Sequence, residues 1–303
     1  MSEFNLIVVL GPTASGKTTL GVTLARHLNG EIISADSRQV FRDMDIGTGK
    51  DLSEYGDIPY HLIDILRPGE EFSVFAFQKS FYAAFEKIVA AGRMPIMVGG
   101  TGLYLEAALR GYRLVEVPEN PTLRQALRDL SLEQLQQRLL ALKPDQHNNT
   151  DLNDRNRLVR AIEIAEGESA ATTTLPRPPS LHPLIFGIRW DRAMLRERIT
   201  RRLKQRLKEG MVDEVVRLHD SGVSWESLEY YGLEYRFIAR HLQGQLNSND
   251  LFQKLNSAIH QFAKRQETWF RRMERQGTKI SWLDGRDDLA AQALTILGTH
   301  KAC

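Results

Sequence analysis

Residues 6–18 read LIVVLGPTASGKT, and this stretch decides the fold. Its first five residues form a short apolar run rich in β-branched side chains, which is typical of a buried parallel strand. Residues 11–18 fit the pattern G-x-x-x-x-G-K-[ST] of a phosphate-binding loop. Leucines at four-residue spacing follow, so a helix is predicted over 19–28. A strand before the loop and a helix after it are the context that this pattern requires.

The loop predicts a phosphate site made of backbone donors and positive charge. Gly11 and Gly16 allow the backbone to wrap with its N–H groups pointing inward. These donors and the positive N-terminus of the following helix attract phosphate oxygens. Lys17 adds a positive charge, and the hydroxyl of Thr18 can hold Mg²⁺. The ligand is therefore expected to carry a diphosphate or a triphosphate, and the loop alone does not identify it as ATP.

Kinases and ATPases with such a loop usually place an aspartate at a strand end to help hold the metal. Here the strand predicted at 95–98 is followed by Gly-Gly-Thr, and the first acidic residue after it is Glu106. Asp36 follows the second predicted strand and Asp64 lies in the third. Either residue could replace the usual aspartate, so the sequence leaves this choice open.

Strands alternate with helices in the first hundred residues. Further strands are predicted at 31–35, 61–66 and 95–98, with an aromatic-rich helix at 75–91 that ends before Gly92. Residues 117–167 are predicted to be helical throughout, a Pro-rich hinge follows at 172–183, and a strand at 184–188 returns to the sheet. Apolar residues repeating every four positions predict one long helix from 195 to 215, and another is predicted at 251–274.

This organisation predicts an α/β fold class, with a P-loop three-layer α/β/α core, a parallel sheet and an all-helical insertion domain. The predicted domains are residues 1–116 for the first part of the catalytic core, 117–180 for the insertion and 181–303 for the continuation of the core.

The composition excludes several classes of protein. The 303 residues carry a net charge of +2 with 26% charged and 42% hydrophobic residues, which argues against a disordered, collagen-like or uniformly polycationic chain. The lone cysteine, Cys303, excludes an intrachain disulfide, a multi-cysteine zinc site and an iron–sulfur cluster. No signal-like start and no apolar run of about 20 residues is present, so a cytoplasmic protein without a membrane partner is expected.

The small net charge hides a segregation of charge along the chain. The net charge is −2 for residues 1–115 and −2 for residues 116–188. It is +6 for residues 189–275 and zero for residues 276–303. The third segment is basic enough to indicate a polyanionic partner, although a solvated surface face would give the same excess.

Asp36 begins the sequence Asp-Ser-Arg-Gln directly after the second predicted strand. The carboxyl ends of parallel strands face one crevice, so Asp36 is expected beside the phosphate loop, where it could accept a proton. The alternative is an ordinary helix N-cap, since aspartate is a strong capping residue. Position alone does not separate these two interpretations.

Several ordered sequence blocks resemble one family. They are GPTASGKT at 11–18, DSRQ at 36–39, MDIGTGK at 44–50, HLIDI at 61–65, VGGTGLY at 98–104, NRLVR at 156–160 and KRQETWFR at 264–271. Together they resemble the tRNA dimethylallyltransferases, over about residues 6–285. One departure is Gly-Leu-Glu-Tyr-Arg at 232–236, where many members have a Gly-Tyr-Arg or Gly-Tyr-Lys turn. The lone cysteine also matches bacterial members, which lack a zinc-finger extension.

The resemblance implies transfer of a dimethylallyl group from dimethylallyl diphosphate to N6 of adenosine at tRNA position 37, with Mg²⁺ on Thr18 as cofactor. It implies three catalytic residues: Asp36 as general base, Thr101 near the diphosphate or adenine, and Arg202 on the diphosphate. Arg198 and Arg206, at four-residue spacing from Arg202, are possible electrostatic support, although such a row is usually a solvated helix flank. The diphosphate-binding residues are Gly11, Pro12, Thr13, Ala14, Ser15, Gly16, Lys17 and Thr18.

The partner implied by the resemblance is the tRNA anticodon stem-loop, bound by a monomer through the insertion and the basic helices of 181–303. The target base must leave its stack to reach the site. The aromatic residues Trp269 and Phe270 are equally consistent with the core. The candidate tRNA contacts are Asp36, Ser37, Arg38, Gln39, Gly102, Asn156, Arg157, Arg160, Tyr235, Arg236, Lys264, Arg265 and Arg271.

Three other functions remain open at the level of sequence. A prenyltransferase acting on free AMP, ADP or ATP would use the same phosphate chemistry. A small-molecule kinase is the natural interpretation of the phosphate loop alone. A non-catalytic, nucleotide-regulated RNA-binding module would share the basic region. The helical insertion and the basic segment 189–275 favour a large polyanionic acceptor.

Overall fold

The computed structural model describes residues 4–112, 114–144, 151–170 and 178–301. Six strands form one parallel sheet. They are β1 (Leu6–Leu10), β2 (Gly30–Ala35), β3 (Tyr60–His61), β4 (Met94–Gly99), β5 (Pro183–Arg189) and β6 (Ser281–Asp284). Their order in the sheet is β3-β2-β4-β1-β5-β6. The inner strand β1 carries the phosphate loop at its carboxyl end, so the loop opens at the same edge as the ends of its neighbours.

Twelve α-helices are found in the part of the chain that the structure describes. Two 3₁₀ helices lie at Leu52–Glu54 and Asp151–Asn153. The α-helices are α1 (Lys17–Leu28), α2 (Val74–Ala90), α3 (Gly102–Arg110), α4 (Pro121–Leu127), α5 (Leu132–Leu142), α6 (Arg155–Ala170), α7 (Arg192–Lys208), α8 (Met211–Asp220), α9 (Trp225–Tyr230), α10 (Leu233–Leu242), α11 (Ser248–Arg275) and α12 (Leu289–Lys301). Among these residues, no helix is long and apolar enough to cross a membrane.

The sheet is covered on both faces, which explains the continuous apolar sequence of β1. Ile7 and Val9 face a core that includes α1 and α12. Leu6, Val8 and Leu10 face a second core with α2, α3 and α11. The arrangement confirms the predicted three-layer α/β/α architecture. A third core joins α7, α8, α10 and α11 to the segment after β2, and it holds the basic helices against the site.

The chain divides into two compact units, one holding the described residues up to Gly111 and from Pro179 onward, the other spanning Tyr112–Pro178. The second unit is a small helical body with its own leucine-rich core, including Leu127, Leu139 and Leu158. The sequence prediction set its limits at 117 and 180. Part of the predicted hinge, residues 172–177, and Cys303 lie outside the described residues.

Two predicted elements are wrong in extent. The strand predicted at 61–66 is reduced to Tyr60–His61, because Leu62 (φ 63°) and Asp64 (φ 55°) adopt left-handed backbone conformations that end pairing. The long helix predicted from 195 to 215 is two helices, since Gly210 has φ 95° and caps α8. The other predicted strands and the helices at 19–28, 75–91 and 251–274 agree with the structure within three residues at each end.

Candidate functional site

The phosphate loop forms an open cradle between β1 and α1. Ala14 (φ 61°) and Gly16 (φ 96°) adopt left-handed conformations that curl the backbone, and Gly16 caps α1. Lys17 Nζ donates to the carbonyl oxygen of Pro12 at 2.8 Å, so the side chain arches over the loop. Ser15 is buried, and within the described residues its hydroxyl has no hydrogen-bond partner. The loop thus holds a buried side-chain donor that these residues leave unused.

Side chains distant in sequence fix the loop from behind. Gln266 on α11 accepts from the Thr13 N–H at 2.8 Å and donates to the carbonyl of Gly100 at 2.9 Å, joining the ends of β1 and β4. Arg198 Nε donates to the Ala14 carbonyl at 2.9 Å. Within the loop, these contacts use the Thr13 N–H and the Ala14 carbonyl, and they hold its shape without filling the cradle.

An arginine-rich face of α7 lies opposite the loop and completes a cleft of about 230 Å³. Arg198, Arg201 and Arg202 contribute its positive wall, and Asp51 and Glu54 contribute carboxylates at its other side. Arg202 forms an ion pair with Asp51. Because three guanidinium groups meet the backbone donors of one loop, the cleft is suited to a group with several negative charges, such as a diphosphate.

Lys17 is the charged group most affected by this environment. Its pKa is lowered from 10.5 to about 8, chiefly by burial; the charge of Asp36 opposes this shift and the charge of Arg202 adds to it. The lysine therefore lies under the electrostatic influence of both the arginine wall and the carboxylate at the end of β2. An anionic ligand in the cleft would favour the charged amine.

Asp36 and Thr101 meet at the ends of two adjacent strands, β2 and β4. The Ser37 N–H donates to Thr101 Oγ1 at 3.1 Å, and the Thr101 N–H donates to the Ala35 carbonyl at 3.3 Å. Asp36 Oδ1 accepts from the Arg38 N–H at 2.9 Å, which is a local turn and not the helix N-cap considered from the sequence. Its second carboxylate oxygen accepts no hydrogen bond from the residues that the structure describes.

The Met-Asp-Ile-Gly-Thr-Gly-Lys segment forms a tight turn that Glu214 holds from α8. The carboxylate of Glu214 accepts the N–H groups of Asp45, Ile46 and Gly47 at 2.7–2.9 Å. It also accepts the hydroxyl of Tyr235 at 2.7 Å. A buried carboxylate with four donors is fully paired, so its role here is to fix the turn.

The same turn brings its backbone against the arginine stripe. A Cβ on Gly49 would lie 1.5 Å from Nη2 of Arg206 and 2.7 Å from Nη2 of Arg202. Lys50, which is fully buried, binds Asp64 and Asp45. Asp64 is therefore committed to Lys50, which argues against the second of the two candidates considered for the metal-binding carboxylate.

Arg206 and Glu234 occupy a small pocket behind the phosphate loop, together with Arg202. Arg206 is 8% exposed, and its Nη2 lies 3.9 Å from Asp51 without a hydrogen bond in the described part of the chain. Burial raises the pKa of Glu234, which the positive charge of Arg206 counteracts. Of the three stripe arginines, two thus line the phosphate cleft and Arg206 lies beneath it, so the stripe is not a solvated flank.

The predicted tRNA contacts divide by exposure. Lys264, Arg265 and Arg271 lie exposed on α11. Arg236 is half-buried and donates to the Glu229 carbonyl. Tyr235 is only 1% exposed, so the prediction that it contacts RNA is corrected: it packs in the third core and supports Glu214.

Two other predicted contacts have structural partners. Gln39 is buried, accepts from Ser34 Oγ at 2.9 Å and donates to the Gly49 carbonyl at 3.1 Å, so it links β2 to the turn. Gly102 lies against Trp269, whose ring a Cβ at that position would meet at 2.4 Å. Trp269 and Phe270 pack in the second core, as the simpler interpretation of the sequence required.

The candidates in the second unit lie along α6. Asn156 and Arg157 are exposed near its start. Arg160 donates to the Val117 carbonyl at 2.8 Å and forms an ion pair with the buried Glu163. Arg160 therefore contributes to the structure of its own unit.

The sequence did not predict Gln266 as a partner of the loop or Glu214 as the hydrogen-bond acceptor that fixes the turn. It also did not predict the carboxylates Asp51 and Glu54 in the cleft. Gln266 lies inside the KRQETWFR block, which was a signal for its importance but not for its role. The other three carry no local pattern.

Comparisons with known proteins agree on the family. The IPP transferase family model matches residues 39–273, and an isopentenyl transferase model matches residues 4–55. A "tRNA dimethylallyltransferase 2" of Syntrophotalea carbinolica is 68% identical over 94% of this chain and 95% of its own length.

Solved structures extend the similarity. The full-length tRNA isopentenylpyrophosphate transferase of Bacillus halodurans is 33% identical, with a TM-score of 0.70 over 98% of this chain and 94% of its own. A eukaryotic dimethylallyltransferase acting on tRNA shares the fold, with a TM-score of 0.79 at 24% identity over 98% and 79% of the two chains. With its phosphate loop, its arginine wall and the pair at the ends of β2 and β4, the chain belongs to the IPP transferase family and, within it, to the tRNA dimethylallyltransferases.

Proposed function

We propose that the enzyme transfers the dimethylallyl group of dimethylallyl diphosphate to N6 of the adenosine at tRNA position 37, next to the anticodon. The observation that carries this proposal is the position of Lys17, whose amine lies within the electrostatic influence of both Arg202, in the arginine wall, and Asp36. A diphosphate in the cleft would have its terminal groups among the arginines. Its allylic carbon would then point toward Asp36 and Thr101, where an acceptor amine can approach.

The phosphate cleft would stabilise the leaving group. As the bond between the allylic carbon and the bridging oxygen breaks, its electron pair moves onto the diphosphate. Lys17, Arg198 and Arg202 line this cleft, and with the backbone N–H groups of the loop they would surround the place where this charge develops. Donors that are already oriented lower the barrier more than donors that must reorganise.

Asp36 would accept the proton that the amine loses. The adenine N6 forms a bond to the allylic carbon, and its N–H proton passes to the free carboxylate oxygen of Asp36. Thr101 Oγ1 accepts from the Ser37 N–H, so its own hydroxyl hydrogen remains to be donated to the diphosphate or adenine. The balance is one C–O bond broken, one C–N bond formed and one proton transferred to the carboxylate.

The residues present fit Mg²⁺ as a cofactor. Thr18, Asp51 and Glu54 offer oxygen ligands around one cleft, and Mg²⁺ prefers one or two carboxylates completed by phosphate oxygens and water. Thr18 would hold the ion, with Glu54 beside it, since Asp51 is paired with Arg202, and the ion would neutralise charge on the diphosphate.

The tRNA partner would be the anticodon stem-loop, with the acceptor base turned out of its stack into the pocket. The exposed cations Lys264, Arg265 and Arg271 on α11 are suited to backbone phosphates. Ser37 and Arg38 lie at the acceptor side of Asp36, and Asn156 and Arg157 offer further polar contacts from the second unit. We place this activity in the cytoplasm and assign it to a monomer.

The test is incubation of the purified enzyme with radiolabelled dimethylallyl diphosphate, Mg²⁺ and unmodified tRNA, followed by nuclease mapping of the labelled nucleoside. We expect the label on the adenosine 3′ of the anticodon, and free diphosphate in equal amount. Label transferred only to free AMP or ATP would establish the mononucleotide alternative. Phosphoryl transfer from labelled ATP without prenyl transfer would instead establish a kinase.

A further inference from the structure

Tyr230, the last residue of α9, is the most exposed large apolar side chain in the described ranges. It is 70% exposed, whereas Tyr231 beside it is 3% exposed. An aromatic ring gains free energy when it leaves water, so the exposed ring of Tyr230 can gain from contact with a partner.

The ring of Tyr230 is presented from a fixed position. Tyr231 anchors the end of α9 through a hydrogen bond from the Gly69 N–H to its hydroxyl and through edge contact with Phe41 at 4.8 Å. Arg236 Nε donates to the Glu229 carbonyl at 3.0 Å and secures the same turn from the following helix. Little ordering of the backbone is therefore needed when a partner binds Tyr230.

Arg38 connects this ring to the acceptor side of the site. Its guanidinium carbon lies 5.2 Å from the centre of the Tyr230 ring, and it forms no ion pair within the described chain. Its backbone N–H donates to Asp36 at 2.9 Å, two residues away. Burial raises the pKa of Tyr104, and the charges of Arg38, Asp36 and Tyr230 each affect it, so all three lie within electrostatic reach of one hydroxyl.

We propose that Tyr230 and Arg38 form a stacking site for the nucleobase adjacent to the acceptor adenosine in single-stranded loop RNA. This inference rests on the proposed function, since it assumes that the acceptor base enters beside Asp36. An aromatic face accepts any base, and an unpaired guanidinium supplies a second stacking plane and a charge for the neighbouring phosphate. The neighbouring base loses its own stacking partner when the adenosine is turned out, and the Tyr230 ring replaces it.

The chemistry of the surroundings favours RNA over a protein partner. A protein surface would be expected to meet further exposed apolar side chains, but Arg38 lies over the Tyr230 ring, and Arg236 and Arg240 of α10 both contact the preceding residue, Glu229. Arg240 is paired with Glu229, which leaves Arg38 as the cation directed at the ring. One aromatic ring beside one unpaired guanidinium matches the two parts of a nucleotide: the base stacks on the ring and the phosphate pairs with the cation.

The test uses anticodon stem-loop RNAs that carry 2-aminopurine on the 5′ or the 3′ side of the acceptor adenosine. Stacking on an aromatic ring quenches its fluorescence, so the wild-type enzyme should quench one of the two RNAs on binding. Tyr230→Phe should quench equally, and Tyr230→Ala should not. In steady-state kinetics, Tyr230→Ala should raise KM for the RNA about tenfold and leave KM for dimethylallyl diphosphate unchanged.

Tyr60→Ala removes another exposed tyrosine, at the sheet edge, and should resemble the wild type in both assays. Quenching at neither position, or equal quenching by Tyr230→Ala, would overturn the stacking site. An equal rise in both KM values would also overturn it, because it would indicate a general structural effect. If the wild type bound the RNA with quenching but transferred no prenyl group, the proposed function would fail and the stacking site would stand.

Discussion

At the scale of single residues, Lys17 carries a pH dependence into substrate binding. Burial holds its pKa at about 8, so in the free enzyme the amine is mostly charged at pH 7 and mostly neutral at pH 9. Only the charged amine attracts a diphosphate, and a bound diphosphate favours that form. We expect kcat/KM for dimethylallyl diphosphate to fall about tenfold between pH 7 and pH 9.

The measurement is the pH profile of kcat/KM together with calorimetric binding of inorganic diphosphate. Lys17→Arg stays charged over this range, so its diphosphate affinity should lose the decline above pH 8. A wild-type decline centred near pH 10 would show that burial does not control this lysine.

Asp36 should separate turnover from tRNA binding. Asp36→Ala removes the proton acceptor but none of the cationic contacts, so kcat should fall by about 10²–10⁴ while the Kd for tRNA stays within about threefold. Asp57→Ala is the matched control, since its carboxylate is exposed and, among the described residues, its one ion pair is a 3.8 Å contact with Arg26. Normal turnover at saturation with lost tRNA affinity would assign Asp36 to binding instead of catalysis.

The local pattern of the sequence predicts residues such as Lys17 and Asp36, because the loop and the strand end that position them are adjacent in the chain. Gln266 and Glu214 could not be predicted in this way. The Thr13–Gln266 contact spans 253 residues, and the contacts of Glu214 with residues 45–47 span about 168, so only the folded chain brings them together. The prediction that Tyr235 contacts RNA was wrong for the converse reason: its hydroxyl is suited to RNA, but packing buries the side chain.

At the scale of elements, α11 couples the sheet to the phosphate loop through Gln266. Gln266→Leu keeps the size of the side chain but leaves the Thr13 N–H and the Gly100 carbonyl without partners. We expect KM for dimethylallyl diphosphate to rise about tenfold, a change of roughly 1.4 kcal/mol, with KM for tRNA unchanged. The control is Gln261→Leu, on an exposed turn of the same helix. Unchanged diphosphate binding would show that the loop keeps its shape unaided.

The first turn of α8 fixes the Asp45–Gly47 segment, so its loss should appear in stability. Glu214→Gln places an amide NH₂ against backbone donors, and we expect the free energy of unfolding to fall by about 3 kcal/mol in a denaturant titration. Asp213→Asn removes the same charge from the exposed neighbouring position and should change stability by less than about 0.5 kcal/mol. Equal effects of the two variants would contradict the clamp.

The periodicity of apolar residues predicted the positions of most helices and strands, and the errors in their extent have local causes. The period of four continues through Gly210, but the positive φ of that glycine turns the chain and starts a second helix. The short strand β6 was not predicted, since four residues of alternating pattern cannot be told from a loop by sequence alone. The helix α12 that follows it was not predicted either.

At the scale of the whole molecule, the excess charge of residues 189–275 serves two different surfaces. Arg198, Arg201 and Arg202 line the phosphate cleft, where Arg198 and Arg202 are half-buried and Arg201 is exposed, whereas Lys264, Arg265 and Arg271 lie exposed on α11. A net charge of +2 therefore conceals one site for a small anion and one face for a long polyanion. Only the second group should contribute to counterion release when tRNA binds.

This division can be measured by the salt dependence of tRNA binding. For the wild type we expect log K to fall linearly with log salt concentration. Replacing Lys264, Arg265 and Arg271 with alanine removes up to three phosphate contacts, so the slope should become shallower by about 2, at roughly 0.7 per contact with single-stranded RNA. The control variant replaces the exposed Lys79, Lys87 and Lys279, which removes the same charge from other elements and should keep the wild-type slope. Identical slopes for both variants would mean that overall charge, and not the α11 face, attracts the RNA.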